Sequence, residues 1–133
     1  MIDPQLLFIE PDSYLDFIQG ANKECEFFDR KEIWNDTKNN FKNGKQEMLE
    51  CISAFANSRG GVLFLGVRDD GSIAGLDHLD ENQYNDLTQV KERLAPHQSQ
   101  VREWNIEGYK LLLIYTPENV YGICQTHISA IPS

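Results

Sequence analysis

Three carboxylates and one glycine pair in this 133-residue chain have the types and spacing to do chemistry. Glu24 and Asp29 fall within "ECEFFDRKEIW", Asp69 follows the apolar run Val62 to Val67, and "NSRGG", Asn57 to Gly61, lies just ahead of that run. If the first segment is a strand beside the apolar one, Asp69 at the strand end approaches Glu24 and Asp29. Converging carboxylates repel one another, and such a trio persists where a divalent cation or a lysine offsets the charge. A cation held there orients a phosphodiester and lowers the pKa of an attacking water. The plainer reading makes Asp69 and Asp70 turn residues, since Asp-Gly favours a hairpin on local grounds alone. Glu24 and Asp29 are then surface charges pairing with Lys23 or Arg30.

The "NSRGG" segment also has two readings. Gly60 and Gly61 lack a Cβ, so a ligand can approach the backbone closely and their N–H groups can meet a phosphate. Arg59 would add a charge-assisted bond, with Asn57 beside it. Equally, Asn57 and Gly60 terminate a helix, Gly61 makes a tight entry to a strand, and Arg59 is solvated. The GxxxxGK[ST] spacing of a Walker A loop is absent, so no ATP site of that kind is supported. Between Phe27 and Lys45, aromatic residues (Phe27, Phe28, Trp34, Phe41) alternate with Arg30, Lys31, Lys38, Lys42 and Lys45. Such a mixture suits base stacking with cations on phosphates; it also suits core aromatics and a soluble loop. His78, His97 and His127 have no acid or cysteine at ligand spacing.

The bulk charge limits what these residues can serve. Twelve basic residues against 21 acidic ones leave a net charge of −9, which excludes a broadly basic nucleic-acid surface. Residues 23–45, with six basic and five acidic residues, are the exception, so a local contact face is open there. Cys25, Cys51 and Cys124 are odd in number and far apart, which predicts reduced thiols in a cytoplasmic protein. The opening "MIDPQLLFIEPD" has no basic n-region. No apolar run approaches the roughly 20 residues that cross a bilayer, so no membrane is expected as a partner.

Periodicity predicts the elements that must position these groups. Asp12 caps a short helix with a face of Tyr14, Phe17, Ile18 and Ala21. "ECEFFDRKEIW" is a strand, and "NDTKNNFKNGK" a polar loop. Gln46 to Ala56 is an amphipathic helix with Met48, Leu49, Ile52, Phe55 and Ala56 as its stripe. Val62 to Val67 is a strand buried on both faces, and Asp70-Gly71 turns it toward a short strand over Ser72 to Gly75. Glu81 to Leu94 is a second helix, and Val101–Ile106, Glu107-Gly108 and Tyr109–Tyr115 form a hairpin. The sum is an α+β fold: a mixed sheet of about five or six strands packed by two or three helices. One domain over 1–133 is expected, with its core at about 12–117 and a tail, 118–133, that is irregular or an edge strand.

These motifs resemble the Schlafen-type AlbA-like domain of bacterial transcriptional regulators, ATP-binding proteins and Schlafen proteins. "AFANSRGG" (Ala54 to Gly61), "GVRDDG" (Gly66 to Gly71) and Glu24, Asp29 and Lys31 in a Glu-x4-(Glu/Asp)-x-Lys arrangement carry the likeness. It spans about residues 12–117. Two features depart from the pattern: Asp29-Arg30-Lys31 stands where Glu-Phe-Lys is usual, and the closing Tyr-x-Arg-x-Gly strand is missing. The resemblance implies a DNA- or RNA-binding, weakly sequence-selective module of a regulator or defence-type protein, contacting nucleic acid through Arg30, Lys31, Lys38, Lys42, Lys45, Asn57, Arg59, Gly60 and Gly61. As an alternative it implies an endoribonuclease holding Mg²⁺ or Mn²⁺ on Glu24, Asp29 and Asp69, with Lys31 beside the trio. A further alternative is an ATP-binding or interaction domain. A homodimer is expected from the same likeness.

Overall fold

In the computed structural model, residues 2–20, 27–89 and 99–118 are described. Their centre is β2 (Gly61–Leu65), buried at every position. β1 (Phe28–Lys31) runs parallel to it, with Asp29 opposite Leu63 and Lys31 opposite Leu65. On its other side β2 pairs antiparallel with β4 (Tyr109–Thr116), and β4 pairs with β3 (Gln100–Ile106), giving the order β1-β2-β4-β3. The fold is the expected α+β architecture, with four strands among the described residues rather than five or six. The β3–β4 turn takes positive φ at Glu107 (52°) and Gly108 (84°), the twist a two-residue hairpin requires.

A parallel pair needs a long crossover, supplied here by α3 (Lys38–Ala56). This helix begins eight residues before the stripe at Gln46 predicted, inside the segment read as a loop. Thr37 caps it, its Oγ1 accepting from the Asn40 N–H at 3.0 Å. Phe41, 8% exposed, extends the apolar stripe seven residues upstream of Met48. Ile33 packs over Gly44, where its Cδ1 lies 3.5 Å from a would-be Cβ. Asparagine lowers helix propensity by only tenths of a kcal/mol, roughly, while burying one phenylalanine contributes about 2 kcal/mol, so packing decides the segment.

The sheet is covered on both sides. Leu63, Leu65, Leu112 and Ile114 meet Met48, Leu49, Ile52 and Phe55 of α3 and Leu87 of α4 (Glu81–Thr88). Val62, Phe64, Leu111 and Leu113 face Leu7 and Phe8 of α1 (Pro4–Ile9) and Ile18 of α2 (Leu15–Gln19). α1 was not expected; Asp3 caps it by accepting from the Gln5 N–H, and Pro4 opens it. Asp12, expected as a cap, instead accepts from Trp104 Nε1 at 3.1 Å, and residues Pro11–Tyr14 form a 3₁₀ turn before α2. The strand expected over Ser72 to Gly75 is reduced to one bridge, Val67 to Ile73. Predicted helix residues beyond Gln89, and the tail from 119, lie outside the described residues.

α4 starts with a reciprocal cap: Asp80 accepts from the Gln83 N–H, and the Gln83 side chain accepts from the Asp80 N–H. It is tied to the hairpin through Tyr84, whose hydroxyl donates to Glu103 Oε1 at 2.7 Å. That bond holds the Glu103 carboxyl below its usual range, while burial and the same carboxylate push the Tyr84 hydroxyl upward. A lowered carboxyl pKa stabilises the fold above the ordinary carboxylate range, and the contribution is lost as pH falls through the lowered value. Tyr84→Phe is therefore expected to raise the Glu103 pKa, read by NMR titration of its side chain, with little change in stability because Glu103 is exposed.

Candidate functional site

The four residues of β1 split the expected contact face between the two sides of the sheet. Phe28 and Arg30 point toward α2, while Asp29 and Lys31 point toward α3. Arg30, expected on the surface against phosphate, is 3% exposed. Its Nη1 donates to the carbonyls of Ile18 and Gly20, each at 3.0 Å, and Nη2 donates to the carbonyl of Asp69 at 2.8 Å. The guanidinium thus joins the end of α2 to the turn after β2, with both terminal nitrogens donating to backbone carbonyls.

The glycine pair resolves in favour of structure. Gly60 takes φ +83°, its N–H donates to the Phe55 carbonyl at 2.8 Å, and a Cβ there would stand 2.8 Å from the Thr116 carbonyl oxygen. At Gly61 a Cβ would stand 2.4 Å from Phe55 Cδ1, so this glycine lets the helix close down on the strand it feeds. Asn57 is the C-cap of α3, its N–H donating to the Phe55 and Ser53 carbonyls. Arg59 is exposed at this end, whereas Lys38 and Lys42 are exposed at the opposite end of the 19-residue helix. At 1.5 Å per residue the two ends stand about 27 Å apart, so these cations cannot share a phosphate.

The expected carboxylate trio is not assembled among the described residues. Glu24 lies outside them. Asp29 Oδ1 accepts from the Arg30 N–H at 2.8 Å, and its Oδ2 accepts from Cys51 Sγ at 3.3 Å, beneath α3. Asp69 is exposed and borders a hollow that does not include Asp29. Among the described residues no group of three or more His, Cys, Asp or Glu is placed to hold a metal ion. Asp70 serves the turn, accepting from the Ser72 N–H at 2.9 Å and Ser72 Oγ at 2.6 Å, which lowers its pKa.

What the fold does build is a polar trough along one flank of α3. One hollow of about 210 Å³ is lined by Arg30, Lys31, Glu32, Trp34, Glu47 and Asp69. A neighbour of about 310 Å³ shares Glu32, Trp34 and Glu47 with it and adds Asn40, Asn43 and Gly44. Trp34, 58% exposed, stands at the junction. Lys31 Nζ lies 3.6 Å from Glu47 Oε1, and Arg68 Nε lies 3.4 Å from Glu32 Oε2. Lys45 is committed elsewhere: its ammonium pairs with Asp86 on α4 and sits over the Phe41 ring. Glu32, Glu47, Asn40 and Asn43 were missed as site residues. For the three on α3 the signal was spacing, since 40, 43, 44 and 47 recur at a helical interval on a face without apolar residues, whereas Glu32, just after β1, carried none.

An α+β domain with a parallel β-helix-β unit, a diglycine entry to its central strand and a polar trough beside the crossover helix is the class these features define. The Schlafen, AlbA_2 family model matches residues 24–129, and the chain belongs to that family. The fold is similar to that of the DIP2311 protein from Corynebacterium diphtheriae, with 22% sequence identity and a TM-score of 0.61 over 87% of this chain. This chain spans 23% of the length of that neighbour. Among curated proteins, no sequence matches it. Among the described residues, no helix is long and apolar enough to cross a membrane.

Proposed function

We propose that this domain is a single-stranded nucleic-acid-binding module of a larger regulatory protein, contacting its ligand through the first half of α3 and Trp34. The observation that carries the reading is the exposed Trp34 indole, which borders a trough of amides and stands just ahead of a helix bearing the exposed Lys38 and Lys42. Every base has a π-face, so stacking on an indole tolerates any sequence and contributes about 1–3 kcal/mol per base. Lys38 and Lys42, one helical turn apart, lie about 140° and about 100° round the helix from Asn43, on the flank away from the trough, so they meet the backbone of a strand only where it crosses the first turns of α3 beside Trp34. The side-chain amides of Asn40 and Asn43 offer donors and acceptors to base edges. The carboxylates nearby and the net charge of −9 keep the affinity modest. Among the described residues the candidate surface is a hollow rather than a protruding helix or ribbon, which favours single strands and weak sequence preference.

The reading has a numerical test. Two lysine contacts to a single strand predict a plot of log K against log salt with a slope of about −1.4. Fluorescence anisotropy with labelled oligonucleotides of DNA and RNA, at low and rising salt, reads that slope. Trp34→Ala is expected to weaken binding by about five- to 150-fold at every salt concentration, with the slope unchanged, because stacking releases no counterions. No binding at tens of micromolar protein in low salt would remove this reading.

A further inference from the structure

We propose that Glu47 masks a phosphate subsite centred on Lys31, occupying with its carboxylate the place a phosphodiester of the ligand takes; this rests on the reading of the trough as a nucleic-acid surface. Lys31 is the residue the trough offers from its floor: its side chain is 21% exposed, while that of Glu47 at the rim is 61% exposed. The lysine is fixed at its root, because β1 ends there in register with Leu65 and its carbonyl accepts from the Gly66 N–H at 2.8 Å. Glu47, on the open flank of α3, is free to swing into solvent. A carboxylate and a phosphodiester both offer oxygen acceptors to an ammonium, so one replaces the other without a change in donor chemistry.

The energetics favour exchange. An exposed ion pair contributes at most about 1 kcal/mol, so a phosphate displaces Glu47 at little cost. Lys45 differs in its partner, since Asp86 is 28% exposed where Glu47 is 61%, and its ammonium also rests on the Phe41 ring. Charge works in the same direction. Arg30 and Lys31 line the hollow against Glu32, Glu47 and Asp69, so withdrawal of Glu47 turns a net negative lining into a balanced one. Glu32 is already held by Arg68, and among the described lining residues Asp69 is the carboxylate that an incoming phosphate still meets. Trp34 borders the same hollow, so a phosphate on Lys31 brings its own base to the indole.

Glu47→Gln tests this, with Glu50→Gln as its control. Glu50 is exposed on the same helix and bonded to Gln46, so its removal changes net charge equally without freeing Lys31. Two probes are titrated separately: inorganic phosphate, read by Trp34 fluorescence, and a single-stranded oligonucleotide across a salt series. Trp104, 3% exposed, gives a constant background. Glu47→Gln is expected to bind both probes about three- to fivefold more tightly than wild type, and to steepen the oligonucleotide slope from about −1.4 to about −2.1. Adding Lys31→Ala to Glu47→Gln should erase both gains. A Glu47→Gln protein that matches Glu50→Gln toward both probes overturns the proposal. If wild type fails to bind the oligonucleotide while Glu47→Gln gains phosphate through Lys31, the subsite stands and the nucleic-acid reading falls. If wild type binds the oligonucleotide and Glu47→Gln leaves the slope unchanged, only the masking proposal falls.

Discussion

Arg30→Met is expected to destabilise the fold by about 3 kcal/mol, read as a lower urea midpoint with an unchanged slope. The methionine keeps much of the side-chain volume above Phe28 but removes every donor. The bond to the Ile18 carbonyl is buried, and that oxygen has no water to take over; the Gly20 and Asp69 carbonyls are partly buried. A buried acceptor left without a partner costs about 1–3 kcal/mol, and two partly shielded ones add to it. Arg30→Lys should fall between, because one ammonium cannot span carbonyls that the planar guanidinium reaches from two nitrogens. Hydrogen exchange should report the loss first at the end of α2, which Arg30 ties to the turn after β2. A midpoint equal to wild type would show that these bonds are worth nothing net.

Gly71→Ala attacks the same junction from its other side, and a loss of about 3 kcal/mol is expected there too. Gly71 adopts φ +92°, where an L side chain is strained by about 1–2 kcal/mol. Its Cβ would also stand 2.1 Å from the carbonyl oxygen of Gln19, a backbone atom that moves only if α2 moves, and overpacking of this kind adds about 1–3 kcal/mol. The Gln19 side chain donates back to the Gly71 carbonyl at 3.3 Å, so displacement of either chain breaks that bond as well. Because both substitutions release α2 from one turn, Arg30→Met combined with Gly71→Ala should lose less than the two single losses added together. Additive losses would mean that the turn and the helix end are separate structures. Calorimetry on the two single variants and the double variant decides it.

This junction was the part of the molecule least visible beforehand. Asp70-Gly71 read as a hairpin signal, and a turn is there, but the tight requirement for glycine comes from Gln19, 52 positions away in the chain. Arg30 read as a surface cation because it sits among charged residues, Asp29, Lys31 and Glu32. The alternation of a strand buries every second side chain, and β1 is short enough that this alternation was hidden by its charges. Phe41 presents the reverse case. Its surroundings are asparagine and lysine, and only the apolar wall of Leu63, Leu65 and Ile114 under α3 makes a helix through them the better arrangement.

Local pattern along the chain settles the α+β class, the amphipathic helix into a diglycine entry, the buried central strand, the hairpin at Glu107-Gly108 and the family. Each of these rests on local periodicity or on residues whose backbone preference acts within a few positions. Tertiary structure alone decided which charges are available. Whether Arg30 meets solvent or three carbonyls, whether Lys31 is open or covered by Glu47, and which carboxylates share a hollow depend on how β1, α3 and the turn after β2 pack together. Burial and pairing set the energy of a charge, and both are properties of neighbours that the chain brings together only on folding.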